Sequence, residues 1–242
     1  MPGITQERLG AGVEVIRIDR PDVRNALDTA TTVELVEALG SVSADPSASV
    51  LVLSSTSTRA FCAGADITEE LDADGGLRRM EAYTAMYRAL DEVPVPVICA
   101  CVGNCVGAGA ELAAGSDLRI AADNLKLAWA GARLGVPVGP ARLISLVGLA
   151  RAKELVYTGR VIEGPEAVEL GLAHLLATAA ETEPAAIELA GSLAAHPGEG
   201  LRRLKEMFRH FDGSAVRIAR ENELLVEFER EGTGLPSGGP GS

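Results

Sequence analysis

Two short apolar runs, Val50-Leu-Val-Leu-Ser54 and Val97–Val102, are each followed by a loop of very small residues, and this pairing limits the possible fold more than any other feature. Apolar runs this short, with no polar alternation, suit strands buried on both faces, the pattern of a parallel sheet flanked by helices. Val13–Asp19 mostly alternates and predicts a further strand, as do Leu118–Ala121 and Lys126–Trp129. Between them, Asp28 can cap a helix through Thr32–Leu39 that Gly40 would end. Met80, Tyr83, Tyr87 and Leu90 recur at helical spacing, and core packing accounts for them better than a cofactor-contacting stripe. Helices are predicted over Ala150–Tyr157, Pro165–Leu170, Glu181–Ala195, Gly198–Arg209 and Ala215–Glu231. The chain therefore reads as α/β with a helical C-terminal part. A core over residues 1–190, a helical region over 191–234 and a disordered tail over 235–242 are expected.

Composition narrows the function. The 242 residues are 47% hydrophobic but only 3% aromatic, so a large core has to be built from Ala, Val, Leu and Ile. The balance of 22 Lys+Arg against 34 Asp+Glu, a net −12, argues against a nucleic-acid or anionic-membrane surface and leaves room for a local basic pocket. The most apolar stretch, Val93–Val106, is interrupted by Pro94, Pro96, Gly103 and Asn104 and is too short to span a bilayer. The opening residues have no apolar h-region, so no signal peptide and a cytoplasmic location are expected. Cys62, Cys99, Cys101 and Cys105 lack the spacing of a zinc site, which predicts buried reduced thiols and no metal.

The two loops carry the chemistry. In Ala60-Phe-Cys-Ala-Gly-Ala-Asp-Ile67, small residues let a ligand approach main-chain N–H groups. In Gly103-Asn-Cys-Val-Gly-Ala-Gly-Ala-Glu-Leu-Ala113, glycines allow a tight turn into a helix whose first N–H groups have no intrahelical partner and suit an anion or a developing oxyanion. A helix starting near Gly107 puts Glu111 about one turn along, near the face of Ala108. Tight strand–helix packing would use the same residues. No dinucleotide fingerprint, phosphate loop or nucleophile elbow is present, and His174, His196 and His210 lie far apart.

At these loops the chain resembles the crotonase (enoyl-CoA hydratase/isomerase) superfamily, over about residues 4–212. Arg24-Asn-Ala-Leu27 is similar to the family element beside coenzyme A, and Phe61–Ile67 to its first oxyanion segment. Val102–Ala113 with Ser116–Ala121 is similar to the second, and Tyr157–Arg160 and Ala167–Leu172 also fit. The resemblance implies a spiral of β–β–α units, a helical C-terminal trimerisation region, and homotrimers or homohexamers. It implies an acyl-CoA thioester as substrate, with no separate cofactor, and an oxyanion hole from the N–H groups of Ala65 and Ala108. Arg24, Ala26, Ala63, Gly64, Asp66, Ile67, Gly107 and Lys205 would bind the substrate, Lys205 near the coenzyme A phosphates, and Glu111 would act as acid or base.

Three departures bear on the reaction. The family's second glutamate corresponds to Gly131, the stretch Val136–Arg142 is shorter than usual, and the common C-terminal ending is missing. Glu69, Glu70 and Asp72 are alternative acids, although a solvated loop accounts for them better. A hydratase-like enzyme using Glu111 leads. An isomerase or decarboxylase that keeps the enolate, and a non-catalytic acyl-CoA binder, remain as alternatives.

Overall fold

The computed structural model describes residues 2–231 and 234–235. Strands β1 (Ile4–Arg8) and β2 (Val13–Ile18) form an antiparallel pair, and α1 (Thr29–Ala44) leads to β3 (Val50–Ser55), which lies parallel to β2. One unit is then laid down in succession. β3 is followed by β4 (Ala60–Cys62) and α2 (Ala73–Glu92), then β5 (Val97–Cys101) by β6 (Asn104–Val106) and α3 (Ala108–Gly115). β7 (Leu118–Ala122) is followed by β8 (Lys126–Ala128) and α4 (Pro140–Thr158). The chain continues through β9 (Ile162–Glu163), α5 (Gly164–Glu169), β10 (Leu175–Ala177), α6 (Thr182–Ala194), α7 (Gly198–Asp212) and α8 (Ser214–Glu231).

In each unit the first strand enters a large sheet, ordered β1-β2-β3-β5-β7-β10, and the second enters a small sheet, ordered β4-β6-β8-β9. β1 and β9 pair antiparallel; the other pairings are parallel. This is the expected spiral of β–β–α units. All six residues of β3 and all five of β5 are buried, because helices cover both faces of the sheet. One face carries Leu51, Leu53 and Cys99 against α1 and α2; on the other, Val13, Val50, Val52, Ile98 and Ala100 meet Ala186 and Ala190 of α6. The boundary expected at 190/191 therefore falls inside a helix that belongs to the core. Among the described residues no helix is long and apolar enough to cross a membrane.

Several elements depart from the sequence pattern. Asp28 caps α1, accepting from the Thr31 N–H at 2.8 Å, but Gly40 does not end the helix. Burial of Leu39 and Val42 outweighs a glycine cost of about 1 kcal/mol, and the helix runs on to Ala44. α4 begins at Pro140 rather than near Ala150, because it is two helical pieces meeting at Gly148, where φ is +74°. Strands β1, β4, β6, β9 and β10 are two to five residues long and carry no readable period. Of the expected tail, Leu235 packs against the core, and residues 236–242 lie outside those described.

α3 rests on β4 so closely that a Cβ at Gly109 would lie 2.3 Å from the Cys62 carbonyl oxygen. Gly109→Ala is expected to destabilise the fold by about 1–3 kcal/mol, despite alanine's better helix propensity, because α3 would have to move off the strand. A lower urea midpoint with unchanged m-value checks this; an unchanged or raised midpoint contradicts it.

Candidate active site

The two small-residue loops meet. Gly64 (φ +104°) and Gly107 (φ +54°) adopt conformations that L side chains rarely take. A Cβ on Gly64 would lie 3.1 Å from the Val106 carbonyl oxygen and 3.9 Å from the Ala108 nitrogen, and one on Gly107 would lie 3.9 Å from Cα of Gly64. Gly107 precedes the first turn of α3, so the Ala108 N–H has no intrahelical acceptor. Between Leu27 and Ala65, hydrogen bonds run from the Leu27 N–H to the Gly64 carbonyl and from the Asp66 N–H to the Leu27 carbonyl, both 2.8 Å. That pattern leaves the Ala65 N–H on the opposite edge. Two main-chain donors thus come from adjoining loops.

Residues 20–28 hold the first loop in place. The fully buried Asn25 accepts from the Arg20 N–H and donates to the Ala60 carbonyl, both at 2.8 Å. Arg20 spans Asp66 at 3.1 Å and Asp28 at 2.8 Å, so one guanidinium ties the loop to the cap of α1. Burial works against the Asp66 charge, but the Thr68 hydroxyl and N–H together with Arg20 hold this carboxyl below its ordinary range. Arg24 and Asn25 both have left-handed backbone, and the Arg24 carbonyl accepts from the Ala63 N–H at 3.1 Å.

A cavity of about 720 Å³ opens beside these loops. Arg24, Ala26, Ala63, Gly64, Ala65, Asp66, Ile67, Gly107 and Ala108, all expected from the sequence, line it. Its rim includes the exposed Asp22, Val23, Arg24, Ile67 and Leu134, and its interior is mainly apolar, with Met80, Tyr83, Tyr87, Val138 and Leu225. The α2 stripe is therefore both core and cavity wall, which corrects the reading of it as core alone. Tyr83 also donates from its hydroxyl to the Leu27 carbonyl at 2.7 Å.

Two expected site residues do not line the cavity. The Lys205 ammonium is buried, bonded to Asp117 at 2.7 Å and the Val95 carbonyl at 2.9 Å, so within this chain it clamps α7 to the sheet rather than facing a phosphate. Glu111 is fully buried, and its Oε2 is 2.9 Å from Nη1 of Arg142. Burial pushes the Glu111 carboxyl upward, opposed by Arg142 and by the nearby Trp129 indole N–H. The same Arg142 nitrogen is 3.3 Å from Glu221 of α8, and the guanidinium lies 4.8 Å from the centroid of the Tyr87 ring. Neither Arg142 nor Glu221 was legible as functional. The available signal was a glutamate on the α8 face that buries Ile218 and Leu225.

Two of the three alternative acids are used at helix ends. Glu69 accepts from the Thr29 N–H and hydroxyl, Asp72 caps α2 by accepting from the Gly75 N–H at 2.7 Å, and Glu70 is exposed. The four cysteines are buried free thiols, and burial pushes Cys62 to about 12.

A sequence model described as enoyl-CoA hydratase/isomerase matches residues 8–228. The chain belongs to this family. It is 34% identical to the crotonyl-CoA hydratase of Syntrophomonas wolfei over 184 residues, 74% of this chain and 71% of that protein. It is 30% identical to the 2,3-dehydroadipyl-CoA hydratase of Escherichia coli K12 over 219 residues, 88% and 86% of the two chains. The crystal structure of an enoyl-CoA hydratase from Bacillus anthracis superposes with a TM-score of 0.82 at 27% identity, covering 98% of this chain and 100% of that one.

Gly131 lines the cavity of this family member with ordinary rather than positive φ, and its lack of a side chain is built into the packing. A Cβ there would lie 2.8 Å from both the Val136 carbonyl oxygen and Cγ1 of Val138. The loop that follows thus fills the space a carboxylate at 131 would need. Gly131→Ala is expected to cost about 1–3 kcal/mol through this clash. Gly131→Glu should lower the melting temperature at least as far without adding hydratase activity; faster hydration by that variant would contradict the steric account.

Proposed function

We propose that this chain is an enoyl-CoA hydratase-like enzyme that binds an acyl-CoA thioester and stabilises its enolate between the Ala65 and Ala108 N–H groups. The observation that carries this reading is the meeting of two loops with outward-facing main-chain donors at the wall of an apolar cavity. In the enolate, negative charge gathers on the thioester oxygen. Donors already aimed at that point, in a site poor in water, stabilise the charge with little reorganisation. Arg24 on the rim would lie beside the coenzyme A part, and the walls of Met80, Tyr83, Tyr87, Val138 and Leu225 would take the acyl chain. Coenzyme A enters as part of the substrate, and no separate cofactor is required.

Glu111 is the acid/base group of this reading, acting on the water that adds at C3 and on the proton at C2. It is buried beside the cavity lining of Ala108, bonded to Arg142, and a proton can reach it through a change of its side-chain rotamer. A second reading, enolate chemistry without hydration or acyl-CoA binding alone, is favoured by one observation: the packed space beside Gly131 leaves no place for a second carboxylate.

The chain is proposed to assemble as a homotrimer or a dimer of trimers. α7 presents Leu204, Met207, Phe208 and Phe211 to solvent, 48–74% exposed, along one helical stripe, an apolar face a monomer would not leave open. Light scattering at micromolar concentration should find trimer or hexamer; a monomer alone would contradict this.

Hydration of crotonyl-CoA, read as 3-hydroxyacyl product, tests the activity. Glu111→Gln is expected to slow it by roughly 10²–10⁴-fold with acyl-CoA affinity nearly unchanged, because the main-chain donors remain. Hydration insensitive to Glu111→Gln removes the assignment of Glu111. Saturable acyl-CoA binding with no hydration or alkene shift supports the binding protein instead.

A further inference from the structure

We propose that Glu221, on the C-terminal helix α8, is a positioning residue for the acid/base group: through a guanidinium they share, that of Arg142, it holds Glu111 and sets its charge. The inference rests on the reading of Glu111 given above and extends it to a residue far away in the sequence.

The geometry is a buried chain of three charges. Nη1 of Arg142, in the first turn of α4, lies 2.9 Å from Glu111 Oε2 and 3.3 Å from Glu221 Oε1. The other Glu221 oxygen accepts from the Ala141 N–H at 2.9 Å, one of the donors at the start of α4 that has no intrahelical partner. All three side chains are buried: the residues are 0%, 5% and 6% exposed. An apolar trio of similar volume would hold three helices together at least as well, so stability alone does not account for this arrangement. The cluster is also left partly unpaired. Among the described residues, Glu111 Oε1, Arg142 Nη2 and the Trp129 indole nitrogen are buried with no well-formed hydrogen bond, although the Trp129 N–H lies close enough to Glu111 to favour its charge.

Two carboxylates sharing one cation in a dry interior carry one negative charge too many, and binding a proton removes it. Burial first, then the Glu111 charge, pushes the Glu221 carboxyl up to about 7, against the pull of the Ala141 N–H and Arg142. Other groups facing the cluster leave that charge uncompensated. Tyr87 of α2 is pushed up by burial and stays neutral, and Trp129 offers only an N–H. Arg217 of α8 bonds the Ala141 carbonyl but is paired with Asp212. Near neutral pH the charge on Glu221 then decides how far the Arg142 cation is left to hold Glu111 as a carboxylate.

α8 also carries the link to substrate. Leu225, one turn beyond Glu221 on the same buried face, lines the cavity. An acyl chain resting on Leu225 bears on the helix that grips Arg142.

The test combines carbon-13 spectra of glutamate carboxyls with rate measurements on the full chain. The parent should show a carboxyl titrating near neutral pH that is absent from Glu221→Gln. In that variant Glu111 should titrate lower, since it keeps the cation and loses its anionic neighbour. The acid limb of the crotonyl-CoA rate profile should move down by about one pH unit with KM little changed, and Glu221→Asp should restore part of it. Stability gives a readout free of activity. The native parent holds an extra proton between the ordinary glutamate range and about pH 7, so its melting temperature should fall as pH rises through that window, and fall less in Glu221→Gln. A Glu221→Gln protein with an unmoved Glu111 titration, or with a rate lowered equally at every pH, overturns the proposal. If the parent hydrates no enoyl-CoA, the activity reading fails, and the titrations still decide the coupling. If Glu221→Gln does not fold, Glu111→Gln decides: Glu221 must then titrate below its parent value, and an unmoved titration overturns the proposal.

Discussion

The contact between the loops at Gly64 and Gly107 is the constraint on which the rest of the site depends. Each loop follows a short strand of the small sheet, and the parallel pairing of β4 with β6 brings their ends together. Only residues with little or no side chain can then pass one another, and both glycines hold positive φ to do so. Their close approach brings Ala65 and Ala108 to the lining of one cavity. A side chain at Gly64 would press on the Val106 carbonyl oxygen 3.1 Å away, and one at Gly107 would be strained by its positive φ rather than by lack of space.

Around this contact, buried charge is used for position. Arg20 joins Asp66 to Asp28, Lys205 joins Asp117 to the Val95 carbonyl, and Arg119 donates to the carbonyls of Ala113, Ser116 and Leu172. Each cation joins segments distant in sequence and satisfies at least one buried polar group. Taken out of water, such pairs add little net stability, but breaking one is costly, so they define a single arrangement of the elements they join. Arg142 differs in that both of its carboxylates, Glu111 and Glu221, are buried with it, whereas Asp28 beside Arg20 and Asp117 beside Lys205 reach solvent. Two buried carboxylates on one cation make that cluster sensitive to pH.

Family membership and individual chemistry separate at Gly131. The fold is shared with an enoyl-CoA hydratase of known structure across nearly the whole chain, and the family model matches residues 8–228. In this chain the Val136–Val138 segment packs against Gly131, and Glu111 is tied through Arg142 to Glu221.

By itself the sequence determined the elements whose signal is local. The buried strands Val50–Ser55 and Val97–Cys101, the Asp28 cap, the small-residue loops and most cavity-lining positions follow from residue type, spacing and motif, because each depends on neighbours in the chain. Three features were decided only by tertiary structure. Gly40 lies within a helix because Leu39 and Val42 find a core to pack against, and Lys205 is a clamp because Asp117 arrives from another unit. Glu111 faces Arg142 rather than the cavity because α4 and α8 converge on α3, across separations of 31 residues to Arg142 and a further 79 from there to Glu221. Such partners leave no period and no motif, since the interaction joins positions that only the folded chain brings into contact.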